Sequence, residues 1–318
     1  MKNLNSIPEL IEEIKAGKPV ILVDDEDREN EGDLILAADY VTPQAVNFMA
    51  VEARGLICLS LPSEQIDRLG LPLMTKDDMN RSPNRTAFTV SIEAAKGVST
   101  GISAADRALT IKVASRPSAQ PQDIIVPGHI FPIRAQEGGV LKRAGHTEAS
   151  LDLVRMAGLN PAAVICEIMN PDGTMARLGQ LVEFAERHQI KIGTIESLIK
   201  FRIQTESFLI ERAQALMPCR YGNDFRIHVF ENQLDGREHV ALVKGKIDPS
   251  QPILVRVHSE CLMGDIFGSL RTRSGEYLDL SMKRISEEES GVIVYLRLED
   301  MGLRLRQRVQ TYHRMDLG

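Results

Sequence analysis

The sequence predicts an α+β fold: a mixed sheet covered by helices, followed by a smaller β-rich domain. Three observations lead there. Over the first two hundred residues, short apolar runs alternate with stretches of helical apolar spacing; several of the runs are broken by proline, which disfavours a purely parallel, doubly wound sheet; and near residue 200 the pattern changes to short strands separated by turns. The expected domains are residues 1–203 and 204–318. With 318 residues, 43% of them hydrophobic and 26% charged, the chain is long enough for two cores and has an ordinary globular composition.

The first helix is signalled by Ser6 and Pro8, by apolar residues at Ile7, Leu10, Ile11 and Ile14, and by Gly17 as its stop. "PVILV" at 19–23 and "LILAA" at 34–38 then read as strands flanking an acidic loop. Thr42 caps a helix that Pro43 opens and Gly55 closes, and "LICLS" at 56–60 is the next strand. "AFTVSIE" at 87–93 alternates as a strand should, and Ser103 with Asp106 forms a capping box opening another helix. "HIFPIRA", "PAAVICEIM" and "IKIGTI" are further strands, with helices "HTEASLDLVRMAG" and "LGQLVEFAERHQ" between them. "TIESLIKFRIQTESFLIERAQ" at 194–214 looks helical, and the segment after it looks antiparallel, with Asp235-Gly236 as a turn signal.

The net charge of -6 offers no general attraction to nucleic acid or an anionic membrane, so a bound phosphate must be met by local basic groups. A phosphorylated metabolite is the expected ligand class. No apolar stretch approaches the roughly 20 residues that span a bilayer, and the first fifteen residues lack the apolar core of a signal peptide, so a cytoplasmic protein is expected. Cys58, Cys166, Cys219 and Cys261 are far apart, with no C-x-x-C pair, which predicts reduced thiols.

Three clusters could carry chemistry. "DDEDRENEGD" at 24–33 places seven carboxylates and Arg28 directly after a strand, with Gly32 allowing a tight fold. Crowded carboxylates raise one another's pKa unless a cation neutralises them, so the loop is a metal site, an acid/base pair or, in its plainest form, a solvated loop. In "KRAGHTEAS", Lys142, Arg143 and the amides near Gly145 and Thr147 lie at a helix start, where free N–H groups and the dipole favour an anion; His146 there is a metal ligand, a proton carrier or simply a cap. His129 lies in "VPGHIFPIR", between Gly128 and a strand. Cys58 and Cys166 read as packing, but Glu167 inside an apolar strand demands a partner or a use.

Together "DDEDRENEGDLILAA", "TAFTVSIEAAKGVSTGISAADRALTI", "VPGHIFPIRAQEGGVLKRAGHTEASLDL" and "CEIMNPDGTMAR" resemble 3,4-dihydroxy-2-butanone 4-phosphate synthase of riboflavin biosynthesis, in order over roughly residues 4–200. The resemblance implies a lyase that converts D-ribulose 5-phosphate to L-3,4-dihydroxy-2-butanone 4-phosphate and formate. The route runs through enediol formation, dehydration, skeletal rearrangement and loss of one carbon, with magnesium or manganese as the divalent ion. It also implies a homodimer. By resemblance Glu29 and His146 are the metal ligands. The substrate contacts are Arg28, Glu29, Asp33, Arg143, Ala144, Gly145, His146, Thr147 and Glu167. His129 and Glu167 are essential for catalysis, and Glu31 and Cys58 are further active-site residues. The polar, turn-rich loop at 74–86 is expected to be mobile and to close over the substrate.

From about residue 204, "LMPCRYG", "DGREHVALVKG" and "VRVHSECLMGDIFGSLR" resemble GTP cyclohydrolase II, whose zinc is held by three cysteines spaced C-x10-C-x-C. Here the three positions are Cys261, Thr272 and Ser274, and a hydroxyl is a poor substitute for thiolate on zinc. That family's "RQEGRGIGL" reads "RLEDMGLRL", with Leu298, Asp300, Met301 and Arg304 departing from it, and the chain ends at Gly318, short of further nucleotide contacts. No zinc and no cyclohydrolase activity are expected. A degenerate domain kept for dimer contacts, stability or regulation is the expectation in their place.

Overall fold

Glu9 reaches back to the amide and hydroxyl of Ser6 at 2.8 and 2.7 Å, which starts helix α1 (Ile7–Lys15) with Ile7, Leu10, Ile11 and Ile14 on its buried face. It is the first element of a computed structural model that describes residues 4–75, 79–298 and 305–317. The chain divides into two units, Met1–Glu206 and Ser207–Gly318.

In the N-terminal unit the order continues β1 (Val20–Val23), β2 (Gly32–Ala37), α2 (Pro43–Phe48), β3 (Cys58–Leu61), α3 (Ser63–Arg68), β4 (Ile92–Ala94), α4 (Ala104–Ser115) and β5 (Ile124–Arg134). Then come α5 (His146–Met156), β6 (Ala163–Glu167), α6 (Leu178–His188), β7 (Lys191–Thr194) and α7 (Ile195–Thr205). Seven strands form one sheet in the order β4-β5-β3-β6-β2-β1-β7. It is mixed: β1/β7 and β3/β5 are parallel, while β1/β2, β2/β6, β3/β6 and β4/β5 are antiparallel.

Side-chain alternation sorts the sheet residues into two cores. Ile21, Leu34, Leu36, Leu59 and Val164 pack on one face; Leu22, Ile35, Cys58, Ile133 and Ile165 pack on the other, with α1, α5 and α7. Asp33 and Glu167 share the alternation of Ile35 and Ile165, so both turn to the α5 face, and His129 shares that of Phe131 and Ile133.

Register does the rest. Leu22 pairs with Asp33, and Asp33 pairs with Glu167. Cys58 pairs with Ile165 and Phe131, so two residues earlier Leu56 stands between Glu167 and His129.

Two expected elements differ. Of the expected strand 87–93 only Ile92 and Glu93 join the sheet as a strand, in β4; Phe88 and Thr89 form isolated bridges to Ile133 and Leu73, and the register with β5 shifts at Ile92/Glu93. The helix expected over 194–214 ends at Thr205. Residues 209–216 instead form β8 (Leu209–Leu216), since a short apolar run fits either period and the ladder to the next strand decides. The helix from Thr42 also changes character, passing from α2 into one π-helical turn at Met49–Ala53.

The C-terminal unit continues with β9 (Phe225–Asn232), β10 (Glu238–Lys244), β11 (Leu254–Ser259), α8 (Leu262–Asp265), α9 (Ser274–Ser286), β12 (Gly291–Leu296) and α10 (Leu305–Asp316). Its five strands run β11-β12-β10-β9-β8. Phe225, Met282, Ile285 and Ile293 form its buried core, and Gly236, at φ +71°, makes the β9–β10 turn at the expected Asp235-Gly236.

Candidate active site

The acidic loop between β1 and β2 is wound around one of its own side chains. Asp24 is buried, and its carboxylate accepts the amides of Glu31 (2.8 Å) and Glu29 (3.2 Å) and the guanidinium of Arg28 (2.7 Å). Arg177 clamps the far side by donating to the carbonyls of Glu29 and Asn30. Arg28 also bridges to Glu29 Oε2 at 2.5 Å. The loop is therefore ordered by its own charges, which a solvated loop has no means to be.

His146 is the first residue of α5, whose N-cap is Gly145. Its Nδ1 lies 3.9 Å from Glu29 Oε2 and 3.7 Å from Asp33 Oδ1. Ligand atoms of Asp24, Glu29 and His146 all fall within 4.8 Å of one another; among the described residues no other group of three such side chains converges in this way. Burial holds the His146 pKa down at about 4, with the nearby Arg28 adding to the effect and Asp24 and Glu29 opposing it. The ring is neutral at pH 7, as a metal ligand must be. His146 Nε2 and Asp33 Oδ1 are buried without a hydrogen-bond partner, so this donor set fits a divalent cation.

Beside it stand the paired carboxylates. Burial pushes the Asp33 pKa well above the carboxylate range, and Glu167, Glu29, Glu31 and Asp24 push it further. Burial also raises Glu167, against the pull of backbone hydrogen bonds that include the Leu56 amide at 2.8 Å. Gly55 makes this approach possible, since any side chain there would overlap Glu167. Burial likewise raises Glu31, with Glu29 adding to it. The Cys58 thiol is buried on the same sheet face and is pushed up by burial, then by Glu167 and Asp33.

The basic cluster closes around the start of α5. Arg143 spends its guanidinium on protein groups: Glu148 at 2.7 Å, the Asn84 carbonyl and the Thr86 hydroxyl. Both guanidinium groups nonetheless stand beside Gly145, where an added side chain would overlap Arg143 Nη1 and come 3.0 Å from Arg28 Nη2. Ala144 is exposed and Thr147 is buried on the first turn of α5.

Two comparisons with known proteins bear on this site. Residues 8–201 match the model of the 3,4-dihydroxy-2-butanone 4-phosphate synthase family. A protein of that name from Neisseria meningitidis is 52% identical over 97% of this chain and 84% of its own length. The chain belongs to the 3,4-dihydroxy-2-butanone 4-phosphate synthase family. Its enzyme class is that of the family, and its setting is riboflavin biosynthesis.

Residues 211–318 match the GTP cyclohydrolase II family, so a synthase unit is followed by one of cyclohydrolase II type. The riboflavin biosynthesis protein RibBA of a Synechocystis strain is 52% identical over 99% of this chain, which spans 57% of that protein's length. Among solved structures, RibBX of A. baumannii, described as a two-domain synthase, aligns with a TM-score of 0.73 at 43% identity, over 92% of this chain and 81% of its own. A synthase solved in complex with two magnesium ions aligns at 0.60 with 42% identity, over 64% of this chain and 98% of its own.

The synthase fold thus gathers Arg28, Glu29, Glu31, Asp33, Cys58, Gly145, His146, Thr147 and Glu167 at one end of the α5 face, with His129 farther along the same row. Sequence reading passed over Asp24, Asn84 and Glu148. Asn84 Nδ2 donates to Glu29 Oε1 at 2.6 Å, so the loop expected to close does reach the site; its residues 76–78 lie outside the described ones. A signal for Glu148 was available: an acid on the first turn of α5, three residues past the N-cap Gly145.

In the C-terminal unit Thr272 and Ser274 meet at Gly264, where an added side chain would touch Ser274 Cβ and Thr272 Cγ2 at 2.9 Å each, and the Cys261 amide and Ser274 Oγ both donate to Asp265. Ser274 Oγ donates to Asp265 at 2.6 Å and lies 3.1 Å from His258 Nε2, and Cys261 Sγ accepts from Arg308 at 3.2 Å. Asp300, Met301 and Arg304 lie outside the described residues. No described helix is long and apolar enough to cross a membrane.

Proposed function

We propose that the synthase unit converts D-ribulose 5-phosphate to L-3,4-dihydroxy-2-butanone 4-phosphate and formate with the side chains gathered around Asp33 and Glu167. The observation that carries this is the pairing of those two carboxylates, both held above the ordinary range, beside neutral His146. Two acids that cannot ionise together divide the labour: one keeps its proton to donate, and the other accepts from carbon or hydroxyl. Glu167, open on one edge and held by the Leu56 amide, is the base; Asp33, fully buried, keeps the proton. Glu31 extends the proton path at the loop. Cys58 Sγ, protonated and apolar, lines the floor.

The sugar phosphate binds with its anion at Gly145–Thr147, where the free amides of α5 and the Arg28 guanidinium converge. Arg143 stands at the same cradle and also fixes Asn84 and Glu148 around it. Glu29 and His146, with Asp24 in reach, would hold magnesium or manganese, which supplies positive charge opposite the substrate oxygens. His129, 42% exposed and flanked by Ile102, Ile125 and Val126 at 56, 52 and 55% exposed, borders an apolar rim that supports a homodimer closing over the site.

We further read the C-terminal unit as inactive on GTP, because Thr272 and Ser274 stand where thiolates are needed and Ser274 Oγ is already bound to Asp265. The match of residues 211–318 to the cyclohydrolase II family favours the other reading, a bifunctional enzyme. One set of assays separates them. Ribulose 5-phosphate with magnesium should release formate, and a chelator should stop it; bound sugar phosphate with no formate would end the synthase proposal. Stoichiometric zinc together with GTP turnover would establish the bifunctional reading.

A further inference from the structure

His129 is not placed by a regular strand. Ile92 of β4 pairs with Ile130 of β5, yet the next residue, Glu93, pairs with Ile125, so the four residues Val126–His129 are bulged out of the ladder. A bulge re-aims the side chains that leave it. This one brings the His129 ring to Glu93, with Nδ1 2.8 Å from Oε2.

Glu93 is buried, and its second oxygen is also committed. Oε1 accepts the Thr110 hydroxyl at 2.8 Å, and that hydroxyl itself accepts the Ala94 amide at 3.0 Å. The direction of the chain is therefore fixed: amide to hydroxyl to carboxylate, leaving Oε2 to accept from Nδ1–H. Gly101 closes the pair from the other side. At φ +86° it lies so near that any side chain would overlap the Glu93 carboxylate and His129 Nδ1, and its own amide is held by Asp106 at 3.1 Å. Among the described residues, Glu93 is the ionisable group hydrogen-bonded to this ring.

We infer that Glu93 is a positioning residue for the reaction: it holds His129 as the Nδ1–H tautomer, presents the Nε2 lone pair to the substrate side, and stabilises the imidazolium formed when Nε2 takes a proton. The proton leaves a substrate carbon or hydroxyl, is carried on Nε2, and returns to solvent or product from the same atom; Glu93 remains an acceptor throughout. Thr110 orients Glu93, and Gly101 keeps water from the Nδ1 side. This rests on the synthase reading proposed above and on the catalytic role that the family resemblance implies for His129.

The test compares Glu93→Gln, His129→Ala and the double variant in the full-length enzyme. His129→Ala should lose at least about a hundredfold in formate release. Glu93→Gln should lower kcat by roughly ten- to a hundredfold with KM for ribulose 5-phosphate little changed. Added to His129→Ala, the Gln substitution should cost nothing further. In wild-type protein, 15N spectra should place the His129 proton on Nδ1, a readout that does not depend on any variant folding. An unchanged rate in His129→Ala would overturn the catalytic assignment and this inference with it. Loss in His129→Ala alongside an unchanged kcat in Glu93→Gln, or an Nε2–H tautomer, would overturn the inference alone.

Discussion

In the N-terminal unit Asp33 Oδ1 and His146 Nε2 are buried with nothing to bond; in the C-terminal unit Asp265, equally buried, accepts from Ser274, Tyr295, the Cys261 amide and the His258 ring. Both places are where family resemblance puts a metal. A buried polar group without a partner costs about 1–3 kcal/mol, a cost a fold carries where a ligand is to meet it. At the second place the protein groups satisfy one another; among the described residues there, His258 Nδ1 lacks a partner. The contrast separates a place whose buried polar atoms lack partners from one whose buried carboxylate is fully bonded.

The largest effect should come from the first place. Glu167→Gln keeps an acceptor for the Leu56 amide but removes the base, so formate release should fall by about 10²–10⁴-fold with the melting temperature nearly unchanged. In the C-terminal unit the sign reverses. Asp265→Ala leaves His258, Ser274 and Tyr295 without their acceptor and should destabilise that unit by about 2–4 kcal/mol in urea unfolding, while synthase kcat stays within about twofold. A large loss of activity there would break the comparison.

Smaller effects sharpen it. Glu29→Gln should raise the magnesium concentration needed for half-maximal rate by about 10–100-fold, followed by titrating metal into the chelated enzyme. Acid should weaken the C-terminal unit as well. Burial raises the Asp265 pKa, but the bonds from Ser274, the Cys261 amide, Tyr295 and His258 outweigh it and hold the group below 3.8. The stability it contributes is complete above about pH 4 and is lost as the pH falls through the lower folded value. Urea midpoints between pH 5 and pH 3 should show the loss in wild-type protein and not in Asp265→Asn.

Local signals were the legible ones. The Ser6–Glu9 box, the Ser103 cap of α4, the start of α5 at Gly145 and the turn at Gly236 depend on a few neighbouring residues, and each stands where the sequence puts it. The acidic loop was legible as a site because a strand anchors it. What escaped was long-range. Asp24 looks like any other acid in its run until the loop closes on it, and Glu93 meets His129 only because a bulge shifts the register by several residues. The strand at 209–216 hid inside an apparently helical run because partner pairing, which no single segment encodes, chose its conformation.

Because Leu22, Asp33 and Glu167 lie on adjacent strands, with Leu56 just ahead of β3 and His129 on β5, the site groups are drawn from segments separated by more than a hundred residues of chain. No half-assembled intermediate could turn over substrate, so recovered turnover after refolding or fragment reassociation would report that every central strand had found its neighbour.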